Sequence, residues 1–298
     1  MILFGTLPFT HPSHFSSRSS TPAQEVFAAF FVDSIAGVKT PAGLRVVSYS
    51  SLESAEMREA LVAAASGPEQ AVIKTVLNMP FVLVMDLVDG TTLAQTVEGG
   101  QESGAESGAG AAGSLLASLG PGDWADLGKA MVADVVMNNW DRFCVPMLWD
   151  HQGNPNNVMF RRSPDGRRVV AIDQAAVAIV DEAQREAYAA TASAVLADIG
   201  NPAVADADVG ILVGLAASIA DATGVAMTDD QMGEARAGAV SAMRCLAEPG
   251  VDDLVVALKQ RVADLVPIDW SSVWADSVSA IDTATIVRLC RACGAGLD

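Results

Sequence analysis

The chain has 298 residues, 51% of them hydrophobic and 18% charged, with a mean hydropathy of +0.32. A chain of this length can bury a sizeable core, and this composition excludes a disordered protein. Acidic residues outnumber basic ones 36 to 18, giving a formal charge of -18 and a pI near 4.4, which argues against nucleic acid or an anionic membrane surface as a partner. Thr10 to Ser20 reads as loop. A helix start follows at Thr21-Pro22-Ala23-Gln24, with Thr21 as N-cap, Pro22 at the first helical position and Gln24 completing a capping box. That helix runs through Glu25, Val26, Phe27, Phe30 and Phe31 to about Ala36, and Gly37 and Pro41 end it. Arg45-Val46-Val47-Ser48 predicts a short strand, and Ala55 to Ala65 a second helix. The apolar run Phe81-Val82-Leu83-Val84-Met85, closed by Asp89-Gly90, predicts a buried strand that emerges into a turn.

Glu98 to Gly113 is rich in Gly, Ser, Ala and Glu and reads as an exposed linker or insertion. Trp124 to Met137 is helical in pattern, with Leu127, Met131 and Val135 on one face, and an Asn-rich loop from Asn138 to Asn157 follows. Two strands, Val158-Met159-Phe160 and Val169-Val170-Ala171-Ile172, are joined through Ser163-Pro164-Asp165-Gly166, a type I turn sequence. From about Asp181 onward the pattern is helical, with Leu254, Leu258, Val262 and Leu265 as one apolar stripe and Pro202, Pro249 and Pro267 as punctuation. Mixed elements followed by helices alone predict an α+β chain with a small β-containing lobe and a larger helical one.

Several chemical-looking signals have bland readings. Gly108 to Gly113 spells G-x-G-x-x-G, but inside a low-complexity stretch with no strand before it. Cys290 and Cys293 make a C-x-x-C without the second pair a zinc site needs. His11, His14 and His151 are too scattered for a metal site or a triad. Arg161, Arg162, Arg167 and Arg168 leave two readings open, a solvated hairpin flank that guards strand edges or a grip on phosphate or an acidic partner. The four dispersed cysteines favour reduced thiols in a cytoplasmic protein. The start, Met1 to Phe9, lacks the basic region of a secretory signal. Val209 to Ala220, the longest strongly apolar stretch without a charge, has 12 residues, short of the ~20 that span a bilayer.

One constellation points to chemistry. Asp141 lies in the polar loop after a helix, Asn157 stands at the head of a strand, and Asp173 ends the return strand. Phosphoryl transfer on a kinase scaffold uses these parts in this order: an Asp to orient and deprotonate the attacking hydroxyl, then an Asn and an Asp to hold Mg²⁺ against the ATP phosphates. Hard oxygen ligands suit Mg²⁺. Each of the three residues taken singly also fits an ordinary turn or cap.

At these residues the sequence resembles the catalytic domain of the actin-fragmin kinase family, a divergent protein-kinase-like fold. The resemblance rests on Asn138-Asn139-Trp140-Asp141-Arg142, Trp149, Gly153-Asn154 with Asn157, and Ile172-Asp173-Gln174. It extends to Gln24-Glu25-Val26-Phe27-Ala28 and to Val84 through Gly90, spanning roughly Pro22 to Val180. It implies a two-lobed fold with a reduced N-lobe over residues 1–90 and a mainly helical C-lobe over 91–298. Asp141 matches the catalytic base and Asn157 and Asp173 the metal ligands. Glu25 matches the αC glutamate, and Met85, Asp86 and Leu87 the adenine-contacting hinge. The implied activity is transfer of the ATP γ-phosphoryl group to a protein Ser or Thr, with actin or an actin–capping-protein complex as the suspected substrate. Asn157 follows Asp141 by 16 positions, where ordinary kinases place it about five later. Met1 to Ser20 contains no lysine, and the V-A-I-K-like Ala71-Val72-Ile73-Lys74 follows the first helix instead of preceding it. Lys74 therefore reads as a surface residue, and the chain as either a truncated gene product or a degenerate kinase. Two rivals stand beside the protein kinase: a pseudokinase acting as an interaction module, and a lipid or small-molecule kinase, which the acidic charge disfavours.

Overall fold

The computed structural model describes residues 2–4, 22–48, 51–64, 81–92, 115–150, 153–163, 166–265 and 271–297. Two small antiparallel sheets sit among many helices, a mainly helical α+β arrangement. In the first sheet β3 (Phe81–Met85) is central, with β1 (Ile2–Phe4) and β2 (Arg45–Ser48) on either side. Leu83 and Val84 are buried, as the continuous apolar run requires of a central strand. Helix α2 (Leu52–Ala64) begins three residues before the expected start and covers β2 through a small cluster of Val47, Met57 and Val84.

Helix α1 (Pro22–Phe31) is buried on nearly all sides, because Ala23, Val26, Phe27 and Phe31 leave it almost no polar face. Its last turn widens into a π-helical turn, Val32–Ala36, which ends at Gly37 in the left-handed conformation (φ 70°) with its N–H on the Val32 carbonyl. The expected N-cap, Thr21, lies outside the described residues, as do Lys74, the three histidines, Pro267 and all of 93–114.

Helix α3 (Pro121–Met137) has Pro121 at its first position and Leu127, Met131 and Val135 in the core, as the periodicity requires. It delivers the loop that starts at Asn138. The second sheet follows: β4 (Gly90–Thr92), β5 (Val158–Ser163) and β6 (Gly166–Ala171), in that order. The hairpin is longer than the apolar residues alone indicate. Its register continues through Arg161 opposite Arg168 and Arg162 opposite Arg167, since backbone pairing does not stop where side chains become charged. Pro164 and Asp165 of the turn lie outside the described residues.

The helical remainder comprises α4 (Glu182–Gly200), α5 (Gly210–Thr223), α6 (Asp229–Leu246), α7 (Val251–Ala263), α8 (Ser271–Ser279) and α9 (Thr283–Ala295). Helices α3 and α6 touch backbone to backbone. A Cβ on Gly128 would run into the Ala235 carbonyl, and one on Gly238 into the Ala125 carbonyl. Helix α1 docks on α7 and α8: Ser277 Oγ accepts the Ala23 N–H at 3.2 Å, and the Arg261 guanidinium stacks 4.1 Å from the Phe30 ring centroid. One continuous core therefore runs from α1 to α9. The expected stripe on α7 is corrected: Val251, Val255, Leu258 and Val262 are buried, whereas Leu254 and Leu265 are exposed. Four apolar residues at helical spacing fit two adjacent faces, and packing against α1 and α9 selects the valine face. Among the described residues no helix is long and apolar enough to cross a membrane.

Candidate active site

The loop after α3 is built from side chains that bond across it. Asn138 takes the left-handed conformation (φ 55°) that ends the helix, a conformation Asn tolerates better than most residues. Its side chain accepts the Trp149 indole N–H at 2.9 Å and donates to the Val177 carbonyl at 3.1 Å. Asn139 donates from its amide to Asp134 Oδ1 at 2.8 Å, and its backbone N–H reaches the Asp134 carbonyl. Two adjacent asparagines thus turn the chain, one by its backbone conformation and the other by its amide.

Asp141 sits at the loop tip, half-buried. Asn157, which closes a 3₁₀ turn starting at Pro155, donates its Nδ2 to Asp141 Oδ2 at 3.2 Å and to the Asp141 carbonyl at 2.9 Å. Asn154 caps that turn by accepting the Asn156 N–H, and its own amide donates to Asn157 Oδ1 at 3.1 Å. Gly153 precedes it at φ 71°, and a Cβ there would lie 2.9 Å from the Arg142 carbonyl oxygen, so glycine is required both by conformation and by the approach of the loop.

Asp173, just past β6, is the other non-glycine residue with positive φ (50°) among the described residues. Backbone strain of this sort persists only where neighbouring contacts fix it. Burial raises the Asp173 carboxyl above its ordinary range, the Asp141 charge adds to this, and Arg142 opposes it. Glu25, Asp173 and Met85 line one cleft together with Ala29, Pro41, Leu44 and Gln174. Glu25 is buried, and neither carboxylate oxygen has a hydrogen-bond partner among the described residues. Burial, then the Asp173 charge, push its pKa well up. Asp86 and Leu87 are exposed and outside this cleft; the Asp86 N–H is taken by the Ala42 carbonyl at 2.8 Å.

Nothing in the sequence pattern assigns a role to Arg142 or marks Asp134 as functional. The guanidinium is fully buried and bonds Asp134 Oδ1 at 2.5 Å, Gln174 Oε1 at 2.5 Å, the Asn157 carbonyl at 3.3 Å and the Ile172 carbonyl at 3.4 Å. Burial pushes the Asp134 carboxyl up to about 6, with Arg142 and Asn139 pulling it down, and the guanidinium contact pairs it in the core. The available signal was a lone Asp in the apolar run Met131 to Met137, eight positions before an Arg.

The Asp173 carboxylate and the Asn157 amide oxygen, with Asp141 beside them, have the hard-oxygen donor chemistry Mg²⁺ accepts when substrate and water complete its shell. The mutual repulsion of the two carboxylates fits a cation. Among the described residues no group of three or more His, Cys, Asp or Glu is gathered for a metal. Cys290 and Cys293 are buried in α9 as free thiols, and burial raises both pKa values, that of Cys293 to about 12; such thiols are inert.

A helix, an asparagine-rich loop and a hairpin that converge on two carboxylates and an amide are parts a kinase-type catalytic domain uses. Residues 16–194, more than half of the chain, match the family model described as actin-fragmin kinase, catalytic, and the chain belongs to that family. No curated protein matches the chain.

Proposed function

We propose that the protein is a kinase of the two-lobed, protein-kinase-like type, with residues 1–90 as a reduced N-lobe and 91–298 as the C-lobe. In this reading it transfers the γ-phosphoryl group of ATP to a Ser or Thr hydroxyl of a protein, with actin or an actin–capping-protein complex as the acceptor suggested by the family. The Asp141 carboxylate accepts the hydroxyl proton as that oxygen attacks phosphorus and ADP departs. Asn157 and Asp173 would hold Mg²⁺, which supplies charge neutralisation at the phosphates. Met85, Asp86 and Leu87 would border the adenine, and Glu25 would face the phosphates from α1. The observation that supports the reading most is the meeting of three chain segments at one point: the Asn157 amide on Asp141 Oδ2 at 3.2 Å, and Asp173 held at φ 50° within electrostatic reach of Asp141.

The test is calorimetric titration with Mg·ATP, wild type beside Asp173→Ala and Asp141→Ala, followed by phosphoryl transfer to actin. Binding lost in Asp173→Ala and kept in Asp141→Ala, with transfer lost in both, is the expected pattern. Wild-type turnover in both variants would refute the assignment.

One observation favours a second reading, a pseudokinase that serves as an interaction module. The lysines among the described residues are engaged away from Glu25: Lys39 with Asp33, Lys129 with Asp126, and Lys259 with the Ile281 carbonyl. Among the described residues that leaves Glu25 without the lysine a phosphate-positioning pair needs. Absence of Mg·ATP binding by the wild type would select this reading.

A further inference from the structure

Arg142 makes more cross-segment contacts than a structural ion pair needs. It follows Asp141 directly in sequence. Its Nε donates to the carbonyl of Asn157, whose side chain reaches Asp141, and its Nη2 donates to Ile172 and Gln174, the two neighbours of Asp173. The fourth bond, to Asp134 at 2.5 Å, anchors the guanidinium to the last turns of α3 and balances its charge in a fully buried setting. One planar group therefore touches the chain beside each of the three candidate catalytic positions. The Ile172 N–H adds a bond of 3.0 Å to the Asn157 carbonyl, so the hairpin end is tied to the same point.

Two further facts separate this arrangement from ordinary packing. Asp173 keeps a positive φ, a conformation that costs free energy and persists only where surrounding contacts offset it, and Arg142 bonds both of its neighbours. A buried ion pair is also a poor route to stability, since well-packed apolar residues often do as well or better. Elsewhere in the fold Arg236 makes five bonds, one more than Arg142, but they go to the carbonyls of Asp198, Ile199, Asn201 and Val204 and to Asp206, a single stretch at and just past the end of α4.

We infer that Arg142 is a positioning residue: its guanidinium fixes Asp141, Asn157 and Asp173 relative to one another, so that the oxygens of Asn157 and Asp173 meet a divalent cation together, with the Asp141 base beside them. This rests on the kinase reading of the site. Lysine cannot replace it, because one ammonium group does not present the fork that spans Asp134, Gln174 and the two carbonyls.

The test titrates the full chain with MnCl₂ alone, following free Mn²⁺ by electron paramagnetic resonance, with circular dichroism to show that each variant is folded. Wild type is compared with Asp173→Ala, Arg142→Lys, Gln174→Met and Arg236→Lys. The expected result is loss of the site in Asp173→Ala, at least tenfold weaker binding in Arg142→Lys, a smaller loss in Gln174→Met, and wild-type affinity in Arg236→Lys. Wild-type affinity in a folded Arg142→Lys would overturn the role of Arg142 and leave the metal site standing. Should Arg142→Lys fail to fold, wild-type affinity in Gln174→Met would overturn it equally. A wild type that binds Mn²⁺ no better than Asp173→Ala removes the metal reading itself, and the inference falls with it.

Discussion

Arg142 and Arg236 divide the molecule into two kinds of polar structure. Around Arg236 the acceptors come from residues 198–206, and the guanidinium closes off the carbonyls at the end of one helix, partly exposed to solvent. Around Arg142 they come from α3, the hairpin head and the segment past β6, all out of water. The first arrangement satisfies backbone groups that a helix end leaves open. The second fixes the relative positions of segments far apart in sequence, which a site with several contributing elements requires and a helix cap does not.

The sharpest way to break this distinction is to remove one carboxylate from each region. Asp141→Ala is expected to lower phosphoryl transfer by about 10²–10⁴-fold, the range a positioned general base supplies. Asp206→Ala, at the Arg236 cluster, is expected to leave transfer unchanged in the same assay. Stability comes next. Arg142→Ala strips the buried Asp134 carboxyl of its guanidinium partner and is expected to cost about 3–5 kcal/mol. Arg236→Ala exposes carbonyls that water can reach and is expected to cost about 1–2 kcal/mol. Urea unfolding of both variants measures the difference, and equal losses would erase the distinction.

Smaller effects sharpen it further. Gly153→Ala forces a side chain into the left-handed region and against the Arg142 carbonyl; a loss of about 1–3 kcal/mol is expected, read by thermal unfolding. Glu25 offers a pH signature. Its pKa is raised in the fold above the ordinary 4.5, so over the interval above that value the native state holds a proton the unfolded chain has lost. Its contribution is complete at low pH and declines as pH rises through that interval. Glu25→Gln removes the titration, so its stability relative to wild type is expected to be greater at about pH 8 than at about pH 5 in urea unfolding. A variant whose stability relative to wild type falls from about pH 5 to about pH 8 would mean that Glu25 is stabilised in its charged form, as by a cation.

What the sequence discloses divides along the same line. Strands β2 and β3 and helix α3 are legible because their apolar residues follow the period of the element that buries them. Asp141, Asn157 and Asp173 are legible because their order along the chain carries information even when their spacing is unusual. Asp134 is not, nor are the tasks of Asn139 and Gln174 within their motifs, since each is an ordinary polar residue until tertiary packing gives it its partner. The α7 stripe misled for a related reason: Leu254 and Val255 lie on neighbouring faces, and only the partner helices determine which is buried. The widened turn at Val32–Ala36 has no sequence marker beyond the glycine that ends it.

The glycine contacts between α3 and α6 separate the unit of homology from the unit of folding. The family match stops at residue 194, inside α4, so it contains every candidate catalytic group and excludes α6. Yet Asp134 and Asn138 hang from a helix whose backbone rests directly on Ala235 and Gly238. A fragment trimmed to the matched residues would carry all the chemistry and lack the wall against which α3 is set, so any shortened version of this protein intended to retain the site must keep the helices downstream of it.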